Sequence, residues 1–214
     1  MADLYKLLKT NISNELYKCE NIGKAISEEK YLEDCLIQEE NLDYIEESGV
    51  EFNGCYFKNV ILNECIFERI DLSNVIFENC DLSNVNFSDG SIHRVEFKNC
   101  KLIGANFTGC SMENVYFKNN VAKYSNFSFS KIKSVNFEEC NMESTSFTEC
   151  NFNKIAFSYC NLKLCEFMNT KLKSIDFSDS DISGILLSGN ELKGANVSAL
   201  QAVELAKLLG VIIK

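Results

Sequence analysis

An apolar residue stands at every fifth position from Phe52 to Val197, and no insertion or deletion breaks the count. An amphipathic helix would space such residues by three and four, and a half-buried strand by two, so a strict five fits neither. A fixed short period is the mark of a solenoid, in which each unit buries its apolar side only by stacking on its neighbours. The clearest stretch runs Val75-Ile76-Phe77-Glu78-Asn79, Cys80-Asp81-Leu82-Ser83-Asn84, Val85-Asn86-Phe87-Ser88-Asp89: a small residue lies two places before a Phe or Leu, and polar residues fill the rest. The spacing predicts short sides, each with one inward anchor.

These residues resemble the pentapeptide-repeat family, whose motif is a small residue, a polar residue, Phe or Leu, and two further polar residues. The resemblance implies an all-β solenoid, a right-handed quadrilateral β-helix of about twenty residues per coil. The sequence tests that coil length independently. One set of positions twenty apart reads Phe57, Phe77, Phe97, Phe117, Phe137, Phe157 and Phe177. The set ten residues away reads Phe67, Phe87, Phe107, Phe127, Phe147 and Phe167, and aliphatic columns such as Leu62, Leu82 and Leu102 alternate with the two. An alternation of period ten fits four sides and not three, with two Phe columns facing each other.

The continuous register leaves no room for a domain boundary between Phe52 and Val197. We divide the chain into an N-terminal cap or irregular segment at 1–30, the repeat β-helix at 31–197, and a capping or dimerisation element at 198–214. Leu4, Leu7 and Leu8 suggest a short helix, Tyr31 the start of an irregular first coil, and Glu47 a departure from register around Tyr44 to Gly49. At the other end, Ser198 and Gln201 form a capping box for a helix that Gly210 stops, and Val211-Ile212-Ile213 is a β-branched run suited to a short strand.

Ten of the eleven cysteines, all but Cys19, occupy the small-residue position two before an anchor, which points to packed, reduced thiols. No Cys-x-x-Cys pair occurs and His93 is the one histidine, expected to project outward beside Arg94, so neither a zinc site nor another metal or cofactor is expected. Pairs such as Glu138-Glu139 point in different directions on short sides, the glycines recur at repeat spacing and form no phosphate loop, and a filled coil lacks a pocket. No enzyme is expected. No apolar run approaches a membrane span or signal-peptide core, so a soluble, cytoplasmic protein is expected.

Function should therefore lie on the exterior. The formal net charge is -10, which disfavours nucleic acid and anionic membrane and favours basic partners. Residues 1–50 hold twelve acids against five bases, and residues 51–197 eighteen against fourteen. Asp71, Glu78, Asp81, Asp89, Glu96 and Glu113 are the candidate partner-binding acids, interrupted by Arg94, Lys98 and Lys101. Leu200, Val203, Leu205, Leu208, Leu209, Val211, Ile212 and Ile213 make the tail apolar on more than one side, as a homodimer interface would require. Within the family, the tail and the uninterrupted rod look like those of quinolone-resistance members of the Qnr and MfpA type. That resemblance implies a DNA mimic that binds DNA gyrase or topoisomerase IV and relieves fluoroquinolone inhibition. The alternative is a cytoplasmic scaffold for another protein, with no role at gyrase.

Overall fold

In the computed structural model, which describes residues 4–19 and 21–212 and leaves undescribed the side chain of Leu209, the chain winds into a four-sided parallel β-solenoid. Strand β1 (Tyr17–Lys18) precedes a short helix, α1 (Ile22–Lys24), and a π-helical turn at Ala25–Glu29. Strands β2 (Tyr31–Glu33), β3 (Cys35–Gln38), β4 (Glu51–Asn53) and β5 (Tyr56–Lys58) build the first two coils. Longer strands follow, each bending round one corner: β6 (Asp71–Glu78), β7 (Ser91–Lys98), β8 (Ser111–Lys118), β9 (Lys131–Glu138) and β10 (Asn151–Ser158). The other two sides carry single bridges such as Asp81↔Lys101 and Asn86↔Asn106. Every strand pairing is parallel, and from Tyr31↔Glu51 to Asn151↔Lys131 the partner lies twenty residues along the chain.

The corners explain the polar part of the motif. At every fifth residue from Asp34 to Ser174 the backbone turns through a left-handed conformation, as at Asn74 (φ 54°), Asn79 (56°), Asn84 (56°) and Asn114 (57°). Asparagine tolerates that region better than most side chains. On the single-bridge sides the corner closes as a type II turn, with Val85 N–H donating to the Leu82 carbonyl at 3.3 Å. Where a corner side chain folds over the next coil, a glycine leaves room for it: a Cβ on Gly104 would sit 2.4 Å from Asn84 Oδ1, and that amide would have to turn away.

The core is a pair of phenylalanine stacks. Phe77 lies over Phe97 with ring centroids 5.1 Å apart and planes 4° from parallel, and Phe97 over Phe117 at 4.8 Å and 6°. Across the coil the two columns meet edge to face, Phe107 on Phe117 at 6.2 Å and 87°, and Phe117 on Phe127 at 6.0 Å and 85°. Both arrangements are favoured by the ring quadrupole, and each adds to the gain from burying the ring. Phe117 thus touches four other rings.

The small position has a second task beside packing. Each buried thiol reaches the carbonyl of an anchor twenty-three residues earlier: Cys80 to Phe57 (3.4 Å), Cys100 to Phe77 (3.4 Å), Cys110 to Phe87 (3.1 Å) and Cys150 to Phe127 (3.0 Å). Ser130 and Asn120 make the same bond at their positions, to Phe107 (2.8 Å) and Phe97 (2.9 Å), whereas Val75, Val85, Val95 and Ala105 fill the place by packing alone. The site therefore takes a compact side chain, and a hydrogen to donate is an addition that only some coils use. All eleven cysteines are free thiols, nine buried, with Cys19 and Cys35 half-buried.

Both ends depart from the sequence expectation. Leu4, Leu7 and Leu8 form no helix. The backbone there is extended because its N–H groups are taken by asparagine side chains of the rod. The base is capped instead by α1 and the π-helical turn, which start at the Asn21 side chain (accepting from Lys24 N–H, 3.1 Å) and bury Ile22 and Ile26 against the first coil. Nor does the chain leave register at Tyr44 to Gly49. Tyr44 and Gly49 are left-handed corners, Glu46 bridges Ile66, and Glu47 keeps its anchor place because Lys30 Nζ lies 2.9 Å from its carboxylate. At the C-terminus, helix α2 (Ala199–Ala206) bears the expected Ser198–Gln201 capping box, continues as a 3₁₀ turn and ends at Gly210 (φ 74°). Val211 and Ile212 form no strand, because no strand among the described residues offers them a ladder; Val211 N–H instead caps the helix at Ala206 (3.3 Å). Ile213 lies outside the described residues.

Two expectations follow from this core. Phe117→Ala should lower the unfolding free energy by about 3–5 kcal/mol in urea titration, since it leaves a ring-sized cavity between four neighbours. Burial raises the thiols of Cys55, Cys110, Cys150 and Cys165 to about 12 and that of Cys65 to about 11. An aromatic disulfide reagent at pH 8 should modify at most Cys19 and Cys35 within minutes, and all eleven only after denaturation. Because the folded-state values of these five thiols lie above the ordinary thiol value of about 8.5, their contribution to stability should be constant below it and fall as pH rises from there towards 12, a window in which these five lose protons in the unfolded chain first.

Candidate functional site

The six acids singled out in the sequence do not form one cluster. Asp71 and Glu78 lie on β6, Glu96 on β7 and Glu113 on β8, on the two sides built from long strands, whereas Asp81 and Asp89 lie on the other two sides. Four of the six are ion-paired. Lys101 Nζ is 3.1 Å from Asp81, Lys133 Nζ 2.7 Å from Glu113 and Lys58 Nζ 3.8 Å from Glu78, and Lys98 is paired with Glu96. The Lys133 hydrogen bond holds the Glu113 carboxyl below its ordinary pKa. Partial burial pushes the Asp81 carboxyl upward, but the Ser83 hydroxyl and Lys101 outweigh it and leave the pKa lowered. Tyr56 donates to Glu78 at 2.5 Å, and burial followed by that carboxylate raises the phenol to about 12.

These lysines carry a signal that a search for acidic residues alone overlooks. In Lys58–Glu78, Asp81–Lys101, Glu113–Lys133, Lys118–Glu138 and Lys123–Glu143 the partners are twenty residues apart, directly above one another in adjacent coils. Charges of opposite sign at that spacing can be picked out from the sequence once the coil length is known. Between residues 31 and 70 the balance differs, because ten acids stand against Lys58 and Arg69 alone. Glu33, Glu39, Glu40, Asp43, Glu46 and Glu64 are in no ion pair among the described residues, so the uncompensated negative charge lies around the first two coils, distributed over their sides.

A second surface was not expected from the sequence. Residues 4–13 run as a strap down the side of the rod, and a bend at Asn14 and Glu15 leads into β1. Tyr5 and Asn136 bond in both directions, Tyr5 N–H donating to Asn136 Oδ1 (3.1 Å) and Asn136 Nδ2 to the Tyr5 carbonyl (2.8 Å). Leu8 N–H donates to Asn114 Oδ1 (3.1 Å) and Asn11 N–H to Asn74 Oδ1 (3.3 Å). Between strap and rod lies a cleft of ≈ 420 Å³ whose rod wall is Glu96, Asn114, Tyr116 and Asn136. Glu96, one of the six acids, is therefore shared with the strap. A sequence signal did exist: six successive members of one outward column, Tyr56, Ile76, Glu96, Tyr116, Asn136 and Ala156, hold one charge before Asp176 adds a second, few for a solvated face.

The tail is the third surface. Gln201 clips α2 to the last coil, its Nε2 donating to the carbonyls of Phe177 (2.8 Å) and Ser180 (2.7 Å), and Leu205 packs against the core. The far side stays open. Leu200 and Ile212 are 82% and 85% exposed, Val203, Leu208 and Val211 are also exposed, and a cleft of ≈ 630 Å³ separates the helix from Ile182 and Ile185. Of the tail residues expected at an interface, Leu205 thus faces the rod and five face outward; the Leu209 side chain is not described. His93 is half-buried on β7 beside Arg94, in register with Ser73 and Glu113. No group of His, Cys, Asp and Glu side chains among the described residues has metal-binding geometry, and no described helix is long and apolar enough to cross a membrane.

No curated protein matches the chain in sequence. Among solved structures it is similar to the plasmid-mediated fluoroquinolone resistance protein QnrB1 (21% identity, 84% of this chain and 98% of that one, TM-score 0.47). It is also similar to HetL, a pentapeptide repeat protein involved in heterocyst differentiation regulation from the cyanobacterium Nostoc sp. strain PCC 7120 (12% identity, 78% and 86% coverage, TM-score 0.48). The family model for the pentapeptide repeat region matches residues 49–127 and 127–197, most of the rod, and the chain belongs to the pentapeptide-repeat family.

Proposed function

We propose that this chain is a non-enzymatic binding protein that acts through its exterior, and that its partner is a type II topoisomerase, DNA gyrase or topoisomerase IV, whose DNA-binding surface it occupies and shields from fluoroquinolones. The observation that carries this reading is the uncompensated acid of coils 31–70 on an uninterrupted rod. Side chains such as Glu40, Glu46 and Glu64 would meet the basic residues that otherwise contact phosphates, and such complementarity chiefly governs encounter and orientation. Interior chemistry is disfavoured because the coil is filled by its own phenylalanines. A scaffold for a different protein is the second reading, favoured by the lysine pairing that neutralises much of the rod beyond Asp71. We further propose a homodimer through the tail, because Leu200 and Ile212 expose apolar surface at an open end of the solenoid that no described residue covers.

A gyrase supercoiling assay with and without ciprofloxacin distinguishes the two partners: a topoisomerase binder should inhibit supercoiling at high dose and restore drug-inhibited supercoiling at lower dose, and a scaffold should do neither. Charge reversal at Glu40, Glu46 and Glu64 together should weaken either effect about tenfold and reduce its salt dependence. For the tail, light scattering should report twice the chain mass for the wild type and a single mass for Leu200→Asp; equal masses would exclude this interface.

A further inference from the structure

We propose that the side of the rod bearing Asn74, Asn114, Tyr116 and Asn136 is a docking groove for an extended peptide of apolar and basic character, and that residues 4–11 of this chain occupy it as a tethered ligand. The contacts are those of a peptide-binding site. Three backbone N–H groups, of Tyr5, Leu8 and Asn11, donate to three side-chain amides, and Asn136 also donates to the Tyr5 carbonyl. Asn136 presents its amide as a strand edge presents a peptide group, so an extended chain is recognised through its backbone.

The spacing is built into the solenoid. An extended chain rises about 3.3 Å per residue, so the three steps from Leu8 to Asn11 span ~10 Å. Asn114 and Asn74 are two coils apart, which at ~4.8 Å per coil is also ~10 Å. Asn136 is one coil above Asn114 and two residues further along its strand, a diagonal of ~8 Å that the next three steps, Tyr5 to Leu8, can span. A peptide in this groove is thus matched at every third residue by an amide of the rod.

Side chains supply the selectivity. Tyr5 and Leu7 are half-buried against the rod, and Lys9 lines the same cleft as Glu96. Asn136 is only 3% exposed, and its outward amide has the strap backbone as its partner. Uncovering the groove without a replacement would return that amide to water, whereas an incoming segment with the chemistry of Leu4–Asn11 would restore the same bonds. A tether needs little intrinsic affinity to hold its site, because linkage supplies a high local concentration. The strap therefore acts as a competitor that a partner peptide must displace.

The test is a fluorescence-anisotropy titration with a labelled peptide of residues 4–11 against three full-length chains: wild type, Tyr5→Asp/Leu7→Asp, and the same double variant carrying Asn136→Ala. The released chain should bind the peptide at least about tenfold more tightly than wild type, and Asn136→Ala should remove about tenfold of that affinity. A peptide with both lysines replaced by glutamate should bind more weakly to the released chain. Equal binding to wild type and released chain, or no effect of Asn136→Ala, would overturn the proposal. Far-UV circular dichroism confirms that each variant keeps the rod, and Leu7→Asp alone serves should the double variant lose it.

Discussion

Everything in this protein depends on coil lying over coil with a repeat of twenty residues. The ring stacks need that register, because Phe97 can lie 5.1 Å from Phe77 and 4.8 Å from Phe117 only while the backbone ladder holds adjacent turns at β spacing. The ladder in turn needs the left-handed corners, which bring each side round to meet the one below. Neither stands alone: a single coil would bury only part of its phenylalanines and would leave its backbone groups without partners. Such mutual dependence between neighbours is why a solenoid is stabilised along its length and vulnerable at its tips.

The two tips are closed by different chemistry. At the base, the helical turn after Asn21 covers the first coil with Ile22 and Ile26, and Lys30 compensates the Glu47 that takes an anchor's place. At the other end one glutamine holds α2 against carbonyls of the last coil, leaving the opposite side of the helix apolar and open. An end sealed with charge suits water, and an end faced with leucine and isoleucine suits a second molecule. Charge along the rod follows the same vertical logic: five lysine–carboxylate pairs join positions twenty apart, so most of the rod is locally balanced while the first two coils are not.

The rod was legible because its determinants are local and repeated. The five-residue period, the alternation of phenylalanine and aliphatic columns and the position of the cysteines each recur many times, and the structure keeps all three. The capping box at Ser198 was legible for the same reason, being four adjacent residues with one geometry. The candidate acids were legible only as acids. Whether Glu113 or Asp81 is free depends on a lysine in the next coil, and that becomes visible only after the coil length has been fixed.

The sequence by itself determined that the chain coils and stacks, since a strict period of five fits neither a helix nor a strand and its alternation of period ten fits four sides. Tertiary structure alone decided what the non-repeating segments do. Leu4, Leu7 and Leu8 carry a helical spacing, yet three N–H groups of that segment are claimed by asparagines more than sixty residues away, and the chain is drawn out along the rod. Glu47 looks like an interruption until Lys30 is found beside it. Both outcomes turn on contacts between distant residues, and a local pattern carries no information about a partner that only the finished coil brings within reach.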